Sequence, residues 1–169
     1  TMNTPMEALE EVHPMRFIKY ELRKDSGGPG KWRGGTGIER GWMLTAPSAT
    51  LSILAERNKI RPWGLKGGKP GALGEYFMKR PTGRRMKLKS KCTVRIHDGD
   101  VLIARTPGGG GYGNPLERKP ELVLKDFING LVSLKSAKND YGVIINPKNE
   151  TVDIQRTLKL REAIKKKKK

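Results

Sequence analysis

Cysteine is almost missing. Cys92 is the only one in 169 residues, so neither an intrachain disulfide nor a cysteine-based zinc site can form. That usage fits a reducing compartment. There is no secretory hydrophobic region and no apolar run long enough to span a bilayer, so the chain reads as soluble and cytoplasmic, with no membrane partner. Histidine occurs only as His13 and His97, and two such distant residues make a poor metal site. Acidic residues are scarce, with 17 Asp and Glu against 35 Lys and Arg.

Glycine is abundant, at 21 residues. With glycine included and tyrosine left out, apolar residues reach about 45%, the low end of the globular range, so wholesale disorder is not expected. The length suits one domain or a slice of a larger one. The net charge of +18 is uneven. Residues 1–50 are nearly balanced, with 7 basic and 6 acidic side chains. Residues 51–100 carry 13 basic and 4 acidic side chains, and five lysines close the chain at 165–169. Such a balance suits nucleic acid, an acidic partner or an anionic substrate. The first residue is Thr1. Initiator methionine removal, cleavage of a precursor or a segment of a longer product would each account for it.

Hydrophobic patterning predicts a β-rich α+β fold. A short helix opens at Thr4-Pro5 and stops at Pro14. Ile18, Tyr20 and Leu22 alternate with charged residues, as in a half-buried strand. Residues 38–45 and 50–56 read as two more strands. The clearest alternation runs over residues 86–97, with Met86, Leu88, Cys92, Val94 and Ile96 on one face and Lys87, Lys89, Lys91 and Arg95 on the other. Asp98-Gly99 predicts a hairpin turn, and residues 101–105 the returning strand. Helical signals follow: Pro120 in a first turn with Gly130 as a stop, then Ser133 as an N-cap with Gly142 after the helix. Val143 to Ile145 reads as a short strand, and residues 153–164 as a last helix running into the lysines. The expected organisation is a β-rich glycine-loop region over 1–115, a helical region of the same domain over 116–164, and a tail over 165–169.

Three glycine stretches, in this order, are distinctive. Tyr20-Glu21-Leu22-Arg23 precedes residues 25–37 (DSGGPGKWRGGTG). Pro62-Trp63-Gly64-Leu65 precedes residues 67–71 (GGKPG). Gly99-Asp100-Val101 precedes residues 106–115 (TPGGGGYGNP). Together with Asn3-Thr4-Pro5 and Asp140-Tyr141-Gly142-Val143, the set resembles the C-terminal part of the hydantoinase B/oxoprolinase family, and is similar to the matching subunit of acetone and acetophenone carboxylases. The resemblance covers nearly all of the chain except the lysines. It implies an ATP-dependent hydrolase of cyclic amides such as hydantoins or 5-oxoproline, or a ketone carboxylase of the same architecture. It also implies partner chains: the N-terminal hydantoinase B-type portion, and a hydantoinase A-type subunit that binds ATP and Mg. The family's metal-binding His and Asp residues lie upstream of what is present here, so no metal ligand is carried over, and activity alone is not expected.

The candidate site residues carry two readings each. Gly108, Gly109, Gly110, Gly111 and Tyr112 form the expected substrate- or nucleotide-proximal loop, although the stretch lacks the Gly-Lys-Ser/Thr ending of a phosphate-binding loop. The plainer reading is that these glycines supply positive φ or allow close backbone packing. Arg57, Lys59, Arg61 and Trp63 suit a partner or anion contact, while basic residues around an aromatic also suit single-stranded nucleic acid; a basic nucleic-acid module is the rival from another class. Cys92 reads as an inert thiol on an apolar face. His97 reads as a turn residue, and Thr1 as an ordinary chain start rather than a nucleophile. No catalytic residue is assigned.

Overall fold

The computed structural model describes residues 3–166. The chain forms two compact units, each assembled from discontinuous stretches. The first takes in residues up to Leu22, Ile38–Ile60 and Gly74–Thr106; the second takes in Arg23–Gly37, Arg61–Leu73 and the chain from Pro107 on. Among the described residues no helix is long and apolar enough to cross a membrane.

The first unit is built from strands whose side chains alternate between core and solvent. After helix α1 (Met6–Val12) come β1 (Met15–Leu22), β2 (Ile38–Leu44), β3 (Ser48–Leu54), β4 (Glu75–Lys79), β5 (Arg85–Leu88), β6 (Lys91–His97) and β7 (Val101–Arg105). Five of them make an antiparallel sheet in the order β1-β2-β7-β4-β5, and β3 pairs with β6 in a separate ribbon. Buried Leu44, Met78, Ile96 and Leu102 form one core, packed by Ala49, Leu51, Met86 and Val94. The ribbon therefore covers one face of the sheet, because neither layer can bury its apolar face alone.

Two expectations need correction here. Residues 86–97 are not one strand: β5 pairs with β4, whereas β6 pairs with β3. Alternation survives the break because both strands turn their even-numbered residues towards the same core, which hides the change of sheet. Nor do β6 and β7 form a hairpin, since β7 lies between β2 and β4. The Asp98-Gly99 turn exists, with Gly99 at φ 75°, but it carries the chain from one sheet to the other. Asp100 pins the turn by accepting from the His97 N–H at 2.8 Å and from Arg80. Cys92 is half-buried on the inner side of β6, and His97 is exposed at its end.

Glu39 sits on the polar face of β2 and accepts from Lys19 Nζ at 2.9 Å and Arg105 Nε at 2.6 Å. Burial alone would push its carboxyl up, but the bonds from Arg105 and Lys19 outweigh burial and hold it below the ordinary value of 4.5. A carboxyl depressed on folding stabilises the protein above its unfolded pKa, and that contribution is lost as pH falls through the folded value. Glu39→Gln is thus expected to flatten the fall in urea-unfolding stability as pH drops below 4.5. A variant with the same acid dependence as the parent would show that Glu39 is not its source.

The second unit joins helices to the glycine stretches. A 3-10 turn (Pro115–Glu117) leads to α2 (Pro120–Ile128), α3 (Leu134–Tyr141), the short strands β8 (Ile145–Asn146) and β9 (Thr151–Val152), and α4 (Ile154–Lys166). Ser133 caps α3 through its hydroxyl, and Gly142 ends it in the left-handed region, as their positions in the sequence foretell. The expected helix after Asp153 runs two residues further than read. Thr1 and Lys167 to Lys169 lie outside the described residues, while Lys165 and Lys166 continue α4. Val123, Val132, Ala137, Tyr141, Val143 and Ile145 form the core.

The glycines of this unit are required by proximity more than by dihedral angle. Of the glycines in the three glycine stretches only Gly67 and Gly113 have positive φ. A Cβ on Gly108 would lie 1.8 Å from the Ser26 carbonyl oxygen, and one on Gly110 1.8 Å from the Trp63 carbonyl oxygen. Gly108 and Gly111 both face the stretch from Ser26 to Pro29, Gly109 faces Gly35, and Gly110 faces Trp63 and Gly64. A repeat of three is that of an extended helix with three residues per turn, which has no internal hydrogen bonds. Its amides are therefore satisfied by neighbours: Gly108 donates to Ala72, Gly109 to Gly35 and Gly111 to Lys69. Residues 108–111 form a central rod on which the other glycine stretches close.

Candidate functional site

A cleft of about 400 Å³ opens on the second unit. It gathers side chains from three stretches of the chain. The wall of residues 69–72 is backed by the glycine rod, since a Cβ on Gly71 would meet the Gly108 carbonyl oxygen at 2.4 Å. Opposite stands the first turn of α3, with Ser133, Lys135 and Ser136. Asp25, at φ 56°, closes one side by accepting the Ser133 N–H at 2.8 Å.

Three cations line the cleft, Arg61, Lys69 and Lys135, against two carboxylates, Asp25 and Asp140. Both carboxylates are engaged. Asp140 accepts from Lys69 Nζ at 2.7 Å and from Ser136 Oγ at 2.8 Å. Arg61 and Lys135 are exposed and have no ion pair among the described residues. Together with the N-terminal end of α3 they give the cleft an excess of positive charge. Ser136 donates to a carboxylate already held by a lysine, and no histidine stands beside it. The arrangement is one for holding an anion rather than for activating a nucleophile.

A buried charge cluster braces the structure behind the cleft. Asp126 accepts from Arg33 Nε at 3.1 Å and from Arg118 Nη2 at 2.9 Å. Arg118 also donates to the Lys31 carbonyl, and Arg161 donates to the carbonyls of Tyr141 and Arg118. Burial pushes the Tyr141 phenol well above its ordinary value, so this residue stays neutral as part of the core.

The residues singled out in the sequence are distributed as follows. Gly108 to Gly111 stand behind the cleft wall with most of their N–H groups spent on carbonyls, while the Tyr112 side chain is exposed. Arg61 lines the cleft. Arg57 and Lys59 belong to the first unit, where they line a separate hollow of about 630 Å³ made by residues 55–60 and the start of β6. Trp63 belongs to the second unit and is 62% exposed. Sequence reasoning missed the roles of Lys135, Ser136 and Asp140. The Ser133 cap was the available signal, because it sets where the first turn of α3 begins. Among the described residues no group of three or more His, Cys, Asp or Glu could hold a metal ion.

Comparison with known proteins places these features in context. Residues 1–115 match the family described as Hydantoinase B/oxoprolinase. A putative D-/L-hydantoinase component from Pseudomonas sp. is 38% identical over 96% of this chain and 27% of its own length. The crystal structure of an ATP-dependent caprolactamase from Pseudomonas jessenii superposes with a TM-score of 0.84 and 30% identity, covering 95% of this chain and 28% of that one. The nucleotide-free structure of an acetone carboxylase superposes with a TM-score of 0.84 and 25% identity, covering 98% of this chain and 26% of that one. The chain thus spans little more than a quarter of the length of the hydantoinase component, and 8–9% of the length of four 5-oxoprolinases that it also matches.

Proposed function

Because the chain belongs to the hydantoinase B/oxoprolinase family, we propose that it forms one portion of an ATP-dependent amide hydrolase that opens a cyclic amide of the hydantoin, 5-oxoproline or lactam class. The remaining hydantoinase B-type portion and a hydantoinase A-type chain complete the enzyme, and the A-type chain binds ATP and Mg. A divalent metal, where the enzyme uses one, belongs to the B-type portion outside this chain. ATP use suits an assembly that works in the cytoplasm.

The observation that carries this reading is the likeness to a caprolactamase and a hydantoinase component over almost the whole chain. Opening an unstrained amide means overcoming its resonance, and phosphorylating the carbonyl oxygen at the expense of ATP removes that stabilisation. This chain contributes binding and positioning. Arg61 and Lys135 hold an anionic part of the substrate or of its phosphorylated form, while Lys69, Asp140 and Ser136 fix the wall they face. Residues 108–112 act behind that wall as the substrate-proximal support. Arg57, Lys59 and Trp63 are assigned to partner contact.

Ketone carboxylation is the second reading, favoured by the equally good superposition on acetone carboxylase. The two separate in one assay. The purified assembly, given ATP and a cyclic amide without bicarbonate, is expected to release ADP and the ring-opened product. Turnover that requires a ketone and bicarbonate instead would select the carboxylase. Within the active assembly, Arg61→Gln and Lys135→Gln are each expected to raise KM about tenfold, the size of a lost charge-assisted hydrogen bond, with little change in kcat. An unchanged KM in both would remove the cleft from the substrate's path.

A further inference from the structure

Three large apolar side chains of the second unit stand in solvent next to one another. Trp32 is 60% exposed, Leu65 57% and Tyr112 49%. They come from three different glycine stretches, yet their backbones are bridged: Trp32 pairs with Tyr112 in antiparallel fashion, and Leu65 with Tyr112 in parallel fashion. Trp32 and Tyr112 exchange N–H to carbonyl bonds at 2.9 Å in both directions. Leu65 donates to Gly111 at 2.9 Å, and Gly113 donates to Leu65 at 2.9 Å. Beneath them Gly30 leaves no room for a side chain, since a Cβ there would meet the Trp32 carbonyl oxygen and the Tyr112 nitrogen at 2.6 Å.

The backbone under this patch is therefore fixed before any partner arrives, and only the side chains project. In a chain where aromatics are 6% of residues, two of them are exposed on backbones bridged to each other. Trp and Tyr bury about 150–250 Å² each when covered and are enriched at the energetic centres of interfaces. An ion pair between Lys31 and Glu117, at 3.7 Å and half-exposed, supplies the polar surroundings such a centre has.

We propose that Trp32, Leu65 and Tyr112 are a preformed docking platform for the remainder of the hydantoinase B-type fold. This rests on the reading above that the chain completes a larger polypeptide's fold. The occupant follows from length: nearly three quarters of the hydantoinase component, of the caprolactamase chain and of the acetone carboxylase chain lies outside the segment that this chain represents. A patch of this kind on a quarter of a fold is a piece of that fold's interior left uncovered. Its ordering by backbone pairs suits a permanent neighbour, because no ordering cost remains at association.

The test uses the full chain without substitutions, with hydroxyl-radical oxidation of Trp32 read by peptide mass spectrometry alone and in the assembly with the polypeptide that co-purifies and is identified in the same way as hydantoinase B-type. The expected result is loss of Trp32 oxidation on assembly. The companion variant, Trp32→Ser with Tyr112→Ser, is expected to weaken that assembly by about tenfold or more while its melting temperature stays near the parent's. An assembly in which Trp32 is oxidised as fast as in the free chain, and which the double serine variant joins as tightly, overturns the platform and leaves the larger reading intact. Coverage of Trp32 by a second copy of this chain, or by an A-type chain alone, overturns the assigned occupant. Failure to join any hydantoinase B-type polypeptide overturns both the platform and the reading it rests on.

Discussion

Gly110→Ala is expected to abolish folding of the second unit, with Gly108→Ala close behind. In each case the new methyl group would lie 1.8 Å from a backbone carbonyl oxygen, Trp63 for Gly110 and Ser26 for Gly108. No rotamer relieves such a clash, because a methyl has none and the obstacle is main chain. Relief requires one glycine stretch to move away, and that breaks the hydrogen bonds joining residues 108–113 to residues 28–35 and 62–72. The cost should exceed the usual 1–3 kcal/mol of overpacking and reach about 4 kcal/mol or more, a large share of an ordinary domain's stability. Gly35→Ala is the control. Nothing lies within 4 Å of its Cβ position and its φ is not positive, so the effect should stay within about 0.5 kcal/mol. Urea unfolding and soluble yield read both. A Gly110→Ala protein that unfolds at the parent's midpoint would show that the stretches are not packed backbone to backbone.

Asp126→Ala is expected to be the most damaging change of a single charge, at about 3–5 kcal/mol. The carboxylate has only 9% of its side chain exposed and is the shared acceptor of Arg33 and Arg118, themselves 16% and 10% exposed. Removing it leaves two guanidinium groups facing each other with little water to screen them. The loss should propagate, because Arg118 also holds the Lys31 carbonyl and accepts Arg161 on its own carbonyl. Glu117→Gln provides the contrast. Its partner Lys31 is half in water, and a surface pair of that kind contributes about 0–1 kcal/mol. Equal destabilisation by the two variants would contradict the buried cluster as a brace.

Much of this fold was legible in the sequence where one local signal decides the outcome. Ser133 and Gly142 bracket α3, Pro120 and Gly130 bracket α2, and alternation marks β1 as a strand, although Ile18, Tyr20 and Leu22, read as its half-buried face, are exposed. Pairing was not legible. Residues 86–97 keep one unbroken alternation although the chain changes sheets at Lys89 and Ser90, because side-chain parity records which face is buried and not which strand lies alongside. β4 went unread: Glu75–Lys79 is short, and its neighbours are a basic loop and a turn.

The glycine stretches were conspicuous, but their use was only half visible. Close packing was among the readings, yet nothing in TPGGGG says which backbone approaches which, and those contacts tie residues 26–35 and 62–72 to the helical part of the chain rather than to the strands that precede them. At the cleft, Arg61 was legible as a cation in search of an anion. Lys69 and Asp140 meet only because the rod sets the wall of residues 69–72 across from α3, a relation between residues 71 apart that no local pattern carries.

Native mass spectrometry of this chain, purified as its source makes it, tests the central claim most directly. The expected result is an assembly with two or more larger chains, one hydantoinase B-type and one hydantoinase A-type, that hydrolyses ATP when a cyclic amide is supplied. A stable monomer, or a chain carrying nucleic acid in place of those partners, would contradict it.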